Sequence, residues 1–429
     1  MDTALIVFLI GFTLIFIIRI PIALGMITTS IFYMLVKGLD IGLVANQVLS
    51  NLFSKYILMA VPLFIFTAKI MNTGKVTEMV FNFANALVGR LKGGMGHVNV
   101  VASIIFSGMT GSAVADASGL GIMEIQAMRD HGYDDGFSCA ITAASATIGP
   151  IFPPSIPMVF YAMLSGASIG SLFLGGMIPG LLIGLALMGY IAIIANKRNY
   201  PRGKVYTIRE FIIYTIKAFP ALLTPVILLG GIYTGVMTPT EAGAVAAFYA
   251  IIISIFVYRA MGLKQLIDVI VDTVKTTGTL TLIVGAAFTF SYIVAFEHIP
   301  QYIAQFLLGI TTNKYLLLLI INILFIILGM FIDTSVITVV FIPMVLPLVK
   351  SLGIDLVHFG VVIVLNMMIG LSTPPMGMLL FIVSGISDTP LKIIIKEVLP
   401  MLLVLIAVLL LITYVPEIVL FIPHHFGAH

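Results

Sequence analysis

A stretch of eight residues, Ile148-Gly-Pro-Ile-Phe-Pro-Pro-Ser155, recurs 221 residues later as Ile369-Gly-Leu-Ser-Thr-Pro-Pro-Met376. The same shift, without a gap, places Gly108 on Gly329, and nine of the 47 positions from 108 to 154 match. The matches fall mainly on Gly, Pro and Asp, residue types that fix the shape of the backbone. The sequence therefore predicts a chain built from two copies of one structural unit.

The low fraction of charged residues indicates the environment of the two copies. Hydrophobic residues make up 60% of the chain and charged residues 9%, whereas a soluble protein carries roughly 25% charged residues. We therefore expect an all-α polytopic membrane protein. The first apolar run follows Asp2 rather than a basic segment, which predicts a retained span. The single cysteine, Cys139, excludes an intramolecular disulfide framework and a multi-thiolate metal site.

Ten apolar runs are long enough to be spans of about 20 residues. They lie near 4–18, 21–36, 56–72, 137–165, 169–195, 210–235, 239–258, 278–296, 356–386 and 396–420. Two further runs, Val98 to Met128 and Leu316 to Val349, are interrupted by Gly or Pro and are predicted to be re-entrant hairpins. Broken backbone at membrane depth is tolerated where protein buries it or where it lines a watery cavity, so both hairpins are expected to point at a site.

Two amphipathic pieces between spans, Val76 to Leu91 and Leu263 to Thr276, are predicted as arms along the membrane interface that hold a moving part. Ordinary solvated connectors are the alternative. The expected organisation is a first scaffold and arm (1–95), a first transport half (96–195), a cytoplasmic linker (196–209), a second scaffold and arm (210–313), and a second transport half with the C-terminal helix (314–429).

The placement of the 21 Lys and Arg predicts the orientation. The linker carries five of them and is expected in the cytoplasm. Threading the spans outward from it puts twelve more on the same side, Arg19 among them, and leaves only Lys37, Lys55, Lys314 and Lys350 outside. Both termini are then periplasmic. The first hairpin enters from the cytoplasm and the second from outside, as an inverted repeat requires.

The candidate site lies where each predicted hairpin turn meets a proline break. A proline pair removes two N–H donors, so the carbonyls before it lose their helical partners. Carbonyl and hydroxyl oxygens in apolar surroundings suit a hard cation such as Na⁺. The hydroxyls at these breaks belong to Ser107, Thr110, Ser155, Ser372 and Thr373.

Four more polar residues fall in these regions. Ser145 and its mate Asn366 are further candidate ligands, with a bond to the carbonyl four residues back as the alternative. Asp333 and, less strongly, Asp116 are acids at membrane depth, a position that indicates an ion ligand, a substrate contact or a proton carrier. For Asp333 the alternative is a helix cap through the N–H groups of the following turn.

The sequence contains none of the motifs for ATP hydrolysis, hydrolytic metal chemistry or an α/β-hydrolase nucleophile. We therefore predict that the chain is not an enzyme and that it draws energy from an ion gradient or from a partner. In Thr238-Pro-Thr-Glu-Ala242, Glu241 is interpreted as part of a helix start.

The turn from Ser107 to Asp116, both proline breaks and Thr238-Pro-Thr-Glu-Ala242 resemble the large membrane subunit of a tripartite ATP-independent periplasmic (TRAP) transporter. The resemblance runs from Arg19-Ile-Pro-Ile-Ala23 to Pro400. It implies Na⁺-driven uptake of organic acids across a bacterial inner membrane by an elevator-type mechanism. It also implies two protein partners, a small membrane subunit of about four helices and a periplasmic binding protein. Because the chain begins at its first span, the small subunit is expected to be a separate polypeptide.

The resemblance also assigns residues. Its sodium sites correspond to Ser107, Gly108, Gly149 and Phe152 in one half and to Gly329, Gly370, Thr373 and Met376 in the other. Phe152 and Met376 would act only through their backbone carbonyls. Ser145 joins the sodium ligands. Substrate binding or coupling is expected from the remaining polar groups of these regions, Thr110, Ser112, Asp116, Ser155, Asp333, Ser335, Asn366 and Ser372.

The alternatives are a passive anion channel, which predicts flux without a gradient or partner, and a related sodium/carboxylate symporter that works without a binding protein. The broken hairpins favour a transporter. The substrate stays open between C4-dicarboxylates and sialic acids. No nucleic-acid partner is expected.

Overall fold

A computed structural model of the chain describes residues 3–18, 20–72 and 74–426. Arg19, predicted on the cytoplasmic side, and the two chain ends, predicted in the periplasm, lie outside the described residues. The regular secondary structure of the described part is helical.

The α-helices of the described part follow one another in chain order. They are α1 Thr3–Ile18, α2 Ile22–Lys37, α3 Gly42–Ser54, α4 Ala60–Met71, α5 Gly74–Val88, α6 Gly94–Thr110, α7 Ala113–Ser118, α8 Leu120–Asp130, α9 Asp135–Ser145, α10 Ile156–Ser165, α11 Ile169–Lys197, α12 Ile208–Tyr233, α13 Pro239–Ile252, α14 Leu263–Phe296, α15 Ile299–Ile310, α16 Lys314–Phe331, α17 Thr334–Ser351, α18 Leu356–Leu371, α19 Met378–Ser387, α20 Leu391–Tyr414 and α21 Glu417–Phe426. Short 3₁₀ turns at Tyr56–Met59 and Ala146–Ile148 precede α4 and follow α9, and a π-helical turn at Ile253–Val257 ends α13.

Seven helices of the described chain are long and apolar enough to cross a membrane, and eight if the bent pair α3 and α4 counts as one span. Large apolar side chains also cover the outside of the molecule. Phe53 and Ile208, for example, are 86% and 81% exposed. An apolar exterior is stable against lipid tails and unstable against water. The chain is therefore a multi-pass membrane protein, as predicted.

The boundaries of several helices obey the 221-residue shift. Helices α6 and α16 end at Thr110 and Phe331, and helices α9 and α18 begin at Asp135 and Leu356. In each half two helices joined by a turn are followed by a helix that ends before a proline pair and by a second helix that begins after it. Helices α16 and α17 are each long and apolar enough to span, which differs from the prediction that the run 316–349 is too interrupted for two spans. The peptide bonds within both proline pairs, Pro153-Pro154 and Pro374-Pro375, are cis.

The predicted boundary between the amphipathic piece at 263–276 and the span at 278–296 is wrong. Helix α14 runs without interruption from Leu263 to Phe296 and so includes the apolar run predicted as a span of its own. The junction at Thr276-Thr277-Gly278 contains no proline, and one glycine costs a helix only about 1 kcal/mol. In the first half, by contrast, α5 is a helix of its own.

Two other predicted boundaries change. The run 396–420 is two helices, α20 and α21, because Pro416 at their junction has no N–H to continue the helical bonds. Helices α3 and α15 lie outside the predicted spans. The predicted start of α13 is confirmed: Thr238 Oγ1 accepts from the backbone N of Glu241, and the Glu241 carboxylate accepts from the backbone N of Thr238 at 2.7 Å.

The two halves pack against each other around their proline breaks. In the first half α6 packs on α9, and in the second half α16 packs on α18. Across the halves, α10 packs on α17 of the second hairpin, and α19 packs on α7 and α8 of the first hairpin. Helix α20 packs on both α9 and α11. The hairpins and broken helices therefore form one continuous packed unit.

Candidate cation site at the paired breaks

The first hairpin turns between α6 and α7. Helix α6 ends at Thr110, and Gly111 follows with φ 61°, in the left-handed region that glycine adopts without a Cβ clash. Ser112 then caps α7, because its side-chain oxygen accepts from the backbone N of Ala115 at 3.4 Å. The glycine and the cap therefore hold the backbone groups of the turn in a fixed position.

The first break lies after α9 and its 3₁₀ turn. The carbonyls of Gly149 and Pro150 have no helical donor four residues on, because those positions are Pro153 and Pro154. The chain becomes helical again at α10, which Ser155 caps. The prolines therefore free carbonyl oxygens in a buried region.

The turn and the break of the first half touch through their backbones. A Cβ added to Gly111 would lie 2.5 Å from the carbonyl oxygen of Pro154, and one added to Gly149 would lie 3.2 Å from the carbonyl carbon of Ser112. The backbone N of Ile156 also donates to the carbonyl of Gly111 at 3.4 Å. Only glycine permits this approach, which brings the freed carbonyls beside the turn.

The second half repeats the arrangement between α16 and the end of α18. A Cβ added to Gly370 would lie 2.6 Å from the Cα of Gly329, so the two backbones are in contact. The carbonyls of Gly370 and Leu371 lack helical donors because Pro374-Pro375 occupies the positions four residues on. Gly370 accepts a tighter bond from the backbone N of Thr373 at 2.9 Å.

Hydroxyls at both breaks donate to backbone carbonyls. Ser107 donates to the carbonyl three residues before it, and Thr373 to the carbonyl four residues before it, each at 2.6 Å. Ser372 donates to the carbonyl of Ala143 at 3.3 Å and so joins the second break to α9 of the first half. A hydroxyl that donates its proton keeps lone pairs for a cation, so these bonds orient the oxygens without occupying them.

Phe152 and Met376 supply no side-chain oxygen. The Phe152 ring packs against α11, where a Cβ added to Gly180 would lie 3.0 Å from its Cβ, and the Met376 side chain is 51% exposed. Any ligand from either residue is therefore its carbonyl, as expected.

Ser145 and Asn366 each bond to the first helix of their own hairpin. Ser145 donates to Oδ1 of Asn99 at 2.7 Å and also contacts the carbonyl of Thr142 at 3.2 Å. Asn366 donates to Oδ1 of Asn322 at 2.8 Å, while its own Oδ1 is buried without a hydrogen-bond partner in the described chain. Neither bonds to the carbonyl four residues back, so that alternative is wrong for both.

The two aspartates differ. Asp333 caps α17, because its Oδ1 accepts from the backbone N of Ser335 at 2.8 Å, which is the capping geometry given as the alternative. Asp116 is 1% exposed, and neither of its carboxylate oxygens has a hydrogen-bond partner in the described chain. The buried hydroxyl of Thr110 also has no hydrogen-bond partner in the described chain. The first hairpin therefore holds more unsatisfied oxygen atoms than the second.

Sequence reasoning missed Asn99, Glu124 and Asn322. Glu124 is buried in α8 and accepts from Asn99, and Asn322 joins α16 to Thr413 of α20 at 3.0 Å. Each of the three lies in a run singled out as a hairpin. The signal that could have found Glu124 was an acid inside an apolar run of that kind.

The chain matches a known family over most of its length. A model of the family described as the tripartite ATP-independent periplasmic transporter, DctM component, matches residues 9–418. The chain belongs to this family. The predicted resemblance is therefore confirmed, and the DctM component is a transporter permease of the inner membrane, not an enzyme. A tripartite system also implies a small membrane subunit and a periplasmic binding protein as partners.

Curated DctM relatives are similar along nearly the whole chain. The large permease of a sialic acid TRAP transporter from Vibrio cholerae is 44% identical over 407 residues, 95% of each chain. The large permease of a C4-dicarboxylate TRAP transporter from Pseudomonas aeruginosa is 39% identical over 372 residues, 87% of each chain.

Two solved structures share the DctM fold at low identity. The YdaH transporter of Alcanivorax borkumensis superposes with a TM-score of 0.65 at 14% identity and covers 89% of each chain. The MtrF protein of Neisseria gonorrhoeae gives 0.60 at 12% identity and covers 86% of this chain and 83% of its own. At these identities the likeness concerns the fold alone.

Proposed function

We propose that this DctM-family permease couples the uptake of an organic acid to the entry of Na⁺. The observation that carries the proposal is the pair of backbone contacts at Gly111 with Pro154 and at Gly329 with Gly370. The first contact brings the hairpin turn, and the second brings the last turn of α16, against a break where prolines remove the helical donors four residues on, with hydroxyls beside it. An oxygen-only shell of this kind suits a hard monovalent cation at membrane depth.

The proposed ligands divide between the two contacts. The first Na⁺ is held by Ser107, Gly108, Ser145, Gly149 and Phe152, and the second by Gly329, Gly370, Thr373 and Met376. The polar groups beside these sets bind the substrate or couple it, namely Thr110, Ser112, Asp116, Ser155, Asp333, Ser335, Asn366 and Ser372.

The substrate class follows from the relatives. Those at 44% and 42% identity are named for sialic acid, and those at 39% for isethionate and C4-dicarboxylates. All of these compounds are organic acids that carry an anionic group. We propose an organic acid of the sialic acid or C4-dicarboxylate type, which a periplasmic binding protein delivers to the permease and its small membrane subunit.

The proposed movement is that of an elevator. The hairpins and broken helices of both halves pack on one another across the molecule, which supports their moving as one body (96–195 with 314–429) against a scaffold of 1–95 and 210–313. The two halves are proposed to be inverted in the membrane, with both termini in the periplasm. The five Lys and Arg of the linker support this orientation, because positive charge favours the cytoplasmic side.

The experiment is uptake by proteoliposomes that contain the permease, its small subunit and the binding protein. We expect uptake with an inward Na⁺ gradient and none with K⁺, and a Na⁺ dependence steeper than first order because two sites bind. Equal uptake in K⁺ would contradict Na⁺ coupling. Flux without a gradient or binding protein would support a passive channel, and Na⁺-driven uptake without a binding protein would support a two-component symporter.

A further inference from the structure

Two carboxyl groups lie buried in the first hairpin and have no basic partner. Asp116 on α7 and Glu124 on α8 are each 1% exposed. Both oxygens of Asp116 and Oε1 of Glu124 lack hydrogen-bond partners in the described chain. Three buried, unpartnered carboxyl oxygens require a compensating positive charge or proton.

A chain of hydrogen bonds surrounds the pair on one side. The Asn99 amide on α6 donates to Oε2 of Glu124 and to the hydroxyl of Thr142, each at 2.8 Å. Ser103 donates to Ser145 at 3.2 Å and lies beside Asp116. The bonds leave Oε1 as the free oxygen of Glu124.

The backbones of these elements approach closely. A Cβ added to Gly121 would lie 2.8 Å from Cγ2 of Thr142 and 3.7 Å from the carbonyl oxygen of Asp116. Glycine at this position lets α8 settle against α9 and against the end of α7. Glu124, one turn after Gly121, is thereby brought into the same buried layer as Asp116.

The charged groups on the surrounding helices are engaged elsewhere. Arg129 of α8 bonds to Asp135 of α9 at 2.8 Å and to the carbonyl of Ser387 at 2.6 Å. The ring of His97, the one histidine on α6, lies near the backbone of Lys92, and its Nδ1 is buried without a hydrogen-bond partner in the described chain. Asp130 of α8 is exposed, and the sequence of α19 contains no titratable residue. The 3₁₀ turn Ala146–Ile148, which packs on α7, contains no titratable residue either.

We propose that Asp116 and Glu124 form a proton-binding site on the first hairpin and exchange a proton during transport. The carboxyls of Asp116 and Glu124 interact electrostatically, so they cannot both be ionised without a cation, and the pair retains a proton on one of its unpartnered oxygens. The proton leaves when the hairpin moves and water or a cation reaches the pair. This linkage to transport rests on the proposed function, whereas proton binding itself does not.

The site has no equivalent in the second half. The 221-residue shift places Asp116 on Ile337 and Glu124 on Val345, both apolar and buried. The proposed sodium sites occur in both halves, but this pair occurs once. One proton per cycle is therefore the expected stoichiometry.

Proton binding is tested first on the purified permease in detergent, without transport. Infrared spectra recorded across a pH titration should show the carbonyl stretch of a protonated carboxylic acid at pH values where exposed carboxylates are ionised. Glu124→Gln and Asp116→Asn should each shift the pH range of this band, because the remaining carboxyl no longer interacts with a second one, and the double variant should remove it. In Glu124→Gln the new amide oxygen can still accept from Asn99, so the packing is kept. Asp130→Asn, which changes an exposed acid on the same helix, is the matched control and should leave the band in place. A band unaffected by both test variants would overturn the proposal.

Exchange is tested in proteoliposomes that contain the complete transporter and a trapped pH indicator. We expect substrate uptake to be accompanied by a change of internal pH in the wild type and in Asp130→Asn, and this change to be lost in Glu124→Gln. A pH change that persists in Glu124→Gln, or a protonated carboxyl with no pH change in the wild type, would overturn the exchange. Loss of Na⁺ dependence in the wild type would contradict the proposed function and leave the infrared result intact.

Discussion

At the scale of single residues, Thr373 provides a direct test of Na⁺ binding. Its hydroxyl is oriented by a bond to the carbonyl of Ile369 and lies beside the contact of Gly329 with Gly370. The change Thr373→Ala removes this oxygen and leaves the proline break. If the oxygen is a buried ligand, its loss costs about 1 to 3 kcal/mol of Na⁺ binding.

We therefore expect the half-saturating Na⁺ concentration of Thr373→Ala to rise several-fold with normal folding. Uptake measured against Na⁺ concentration checks this, with protein abundance and thermal stability as controls. Thr373→Ser, which retains the oxygen, should resemble the wild type. An unchanged titration in the Ala variant would show that the hydroxyl only bonds to its helix.

Asp333 tests whether a helix cap also has a functional role. Its Oδ1 accepts from the backbone N of Ser335, and an asparagine oxygen can accept the same bond. Asp333→Asn should therefore fold normally but lose coupled uptake, because the negative charge beside the second break is gone. Uptake within about twofold of wild type, at equal membrane abundance, would assign Asp333 to capping alone.

The sequence predicted the positions of the candidate residues better than their hydrogen-bond partners. It located Asp333, Asp116 and Ser145 in the right segments, because glycine and proline mark the breaks. It did not predict that Ser145 bonds to Asn99, since a contact between α9 and α6 depends on how helices pack. Glu124 did carry a signal in the sequence, an acid inside an apolar run, but its bond to an amide and not to a base depends on how α8 packs on α6.

At the scale of elements, the basic linker 196–209 connects helices of the two copies. Arg198 donates from Nη2 to both oxygens of Glu397 on α20, at 3.0 and 2.8 Å, and from Nη1 to Asp134 at the start of α9, at 3.1 Å. Tyr200 donates to the same Asp134 oxygen at 2.6 Å. One guanidinium thus connects the first and second copies.

Arg198→Ala should therefore weaken the contact between α9 and α20. We expect a loss of about 1 to 3 kcal/mol, because hydrogen bonds to charged groups are removed. Arg198→Lys should recover only part of the loss, since an ammonium cannot bind two carboxylates as a planar fork. Thermal unfolding of the purified permease measures this. The exposed Arg209, changed to Ala, is the matched control, and equal melting temperatures for the two Ala variants would contradict the linking role.

Elements were predictable where proline or a cluster of glycines ends a helix. The starts of α13, α16 and α18 follow such signals or a capping residue. Helix α14 was not predicted as one helix, because its polar first part and apolar second part differ in composition and not in conformation. The composition of a segment reflects whether water or lipid surrounds it, and these surroundings change where a helix leaves the membrane.

At the scale of the whole molecule, the proposed inversion is tested by labelling. His131 and Ser351 follow the two hairpins, at nearly equivalent positions, and both are exposed. A cysteine at His131 should react with an impermeant thiol reagent from the cytoplasm, and one at Ser351 from the periplasm. The native Cys139 is buried and is expected to stay unlabelled. Labelling of both sites from one side would contradict the inversion.

The bend between α3 and α4 makes the two copies of the structural unit differ in shape. These two helices meet at 71°, and the 221-residue shift places them on α14, which is continuous. Under the proposed inversion, two identical copies would present the same outline to both sides of the membrane, and a path open to one side would be open to the other. Because one copy is bent and the other straight, the two faces differ in shape. The access path can then be closed on one face while it is open on the other, which a transporter needs in order to hold a gradient.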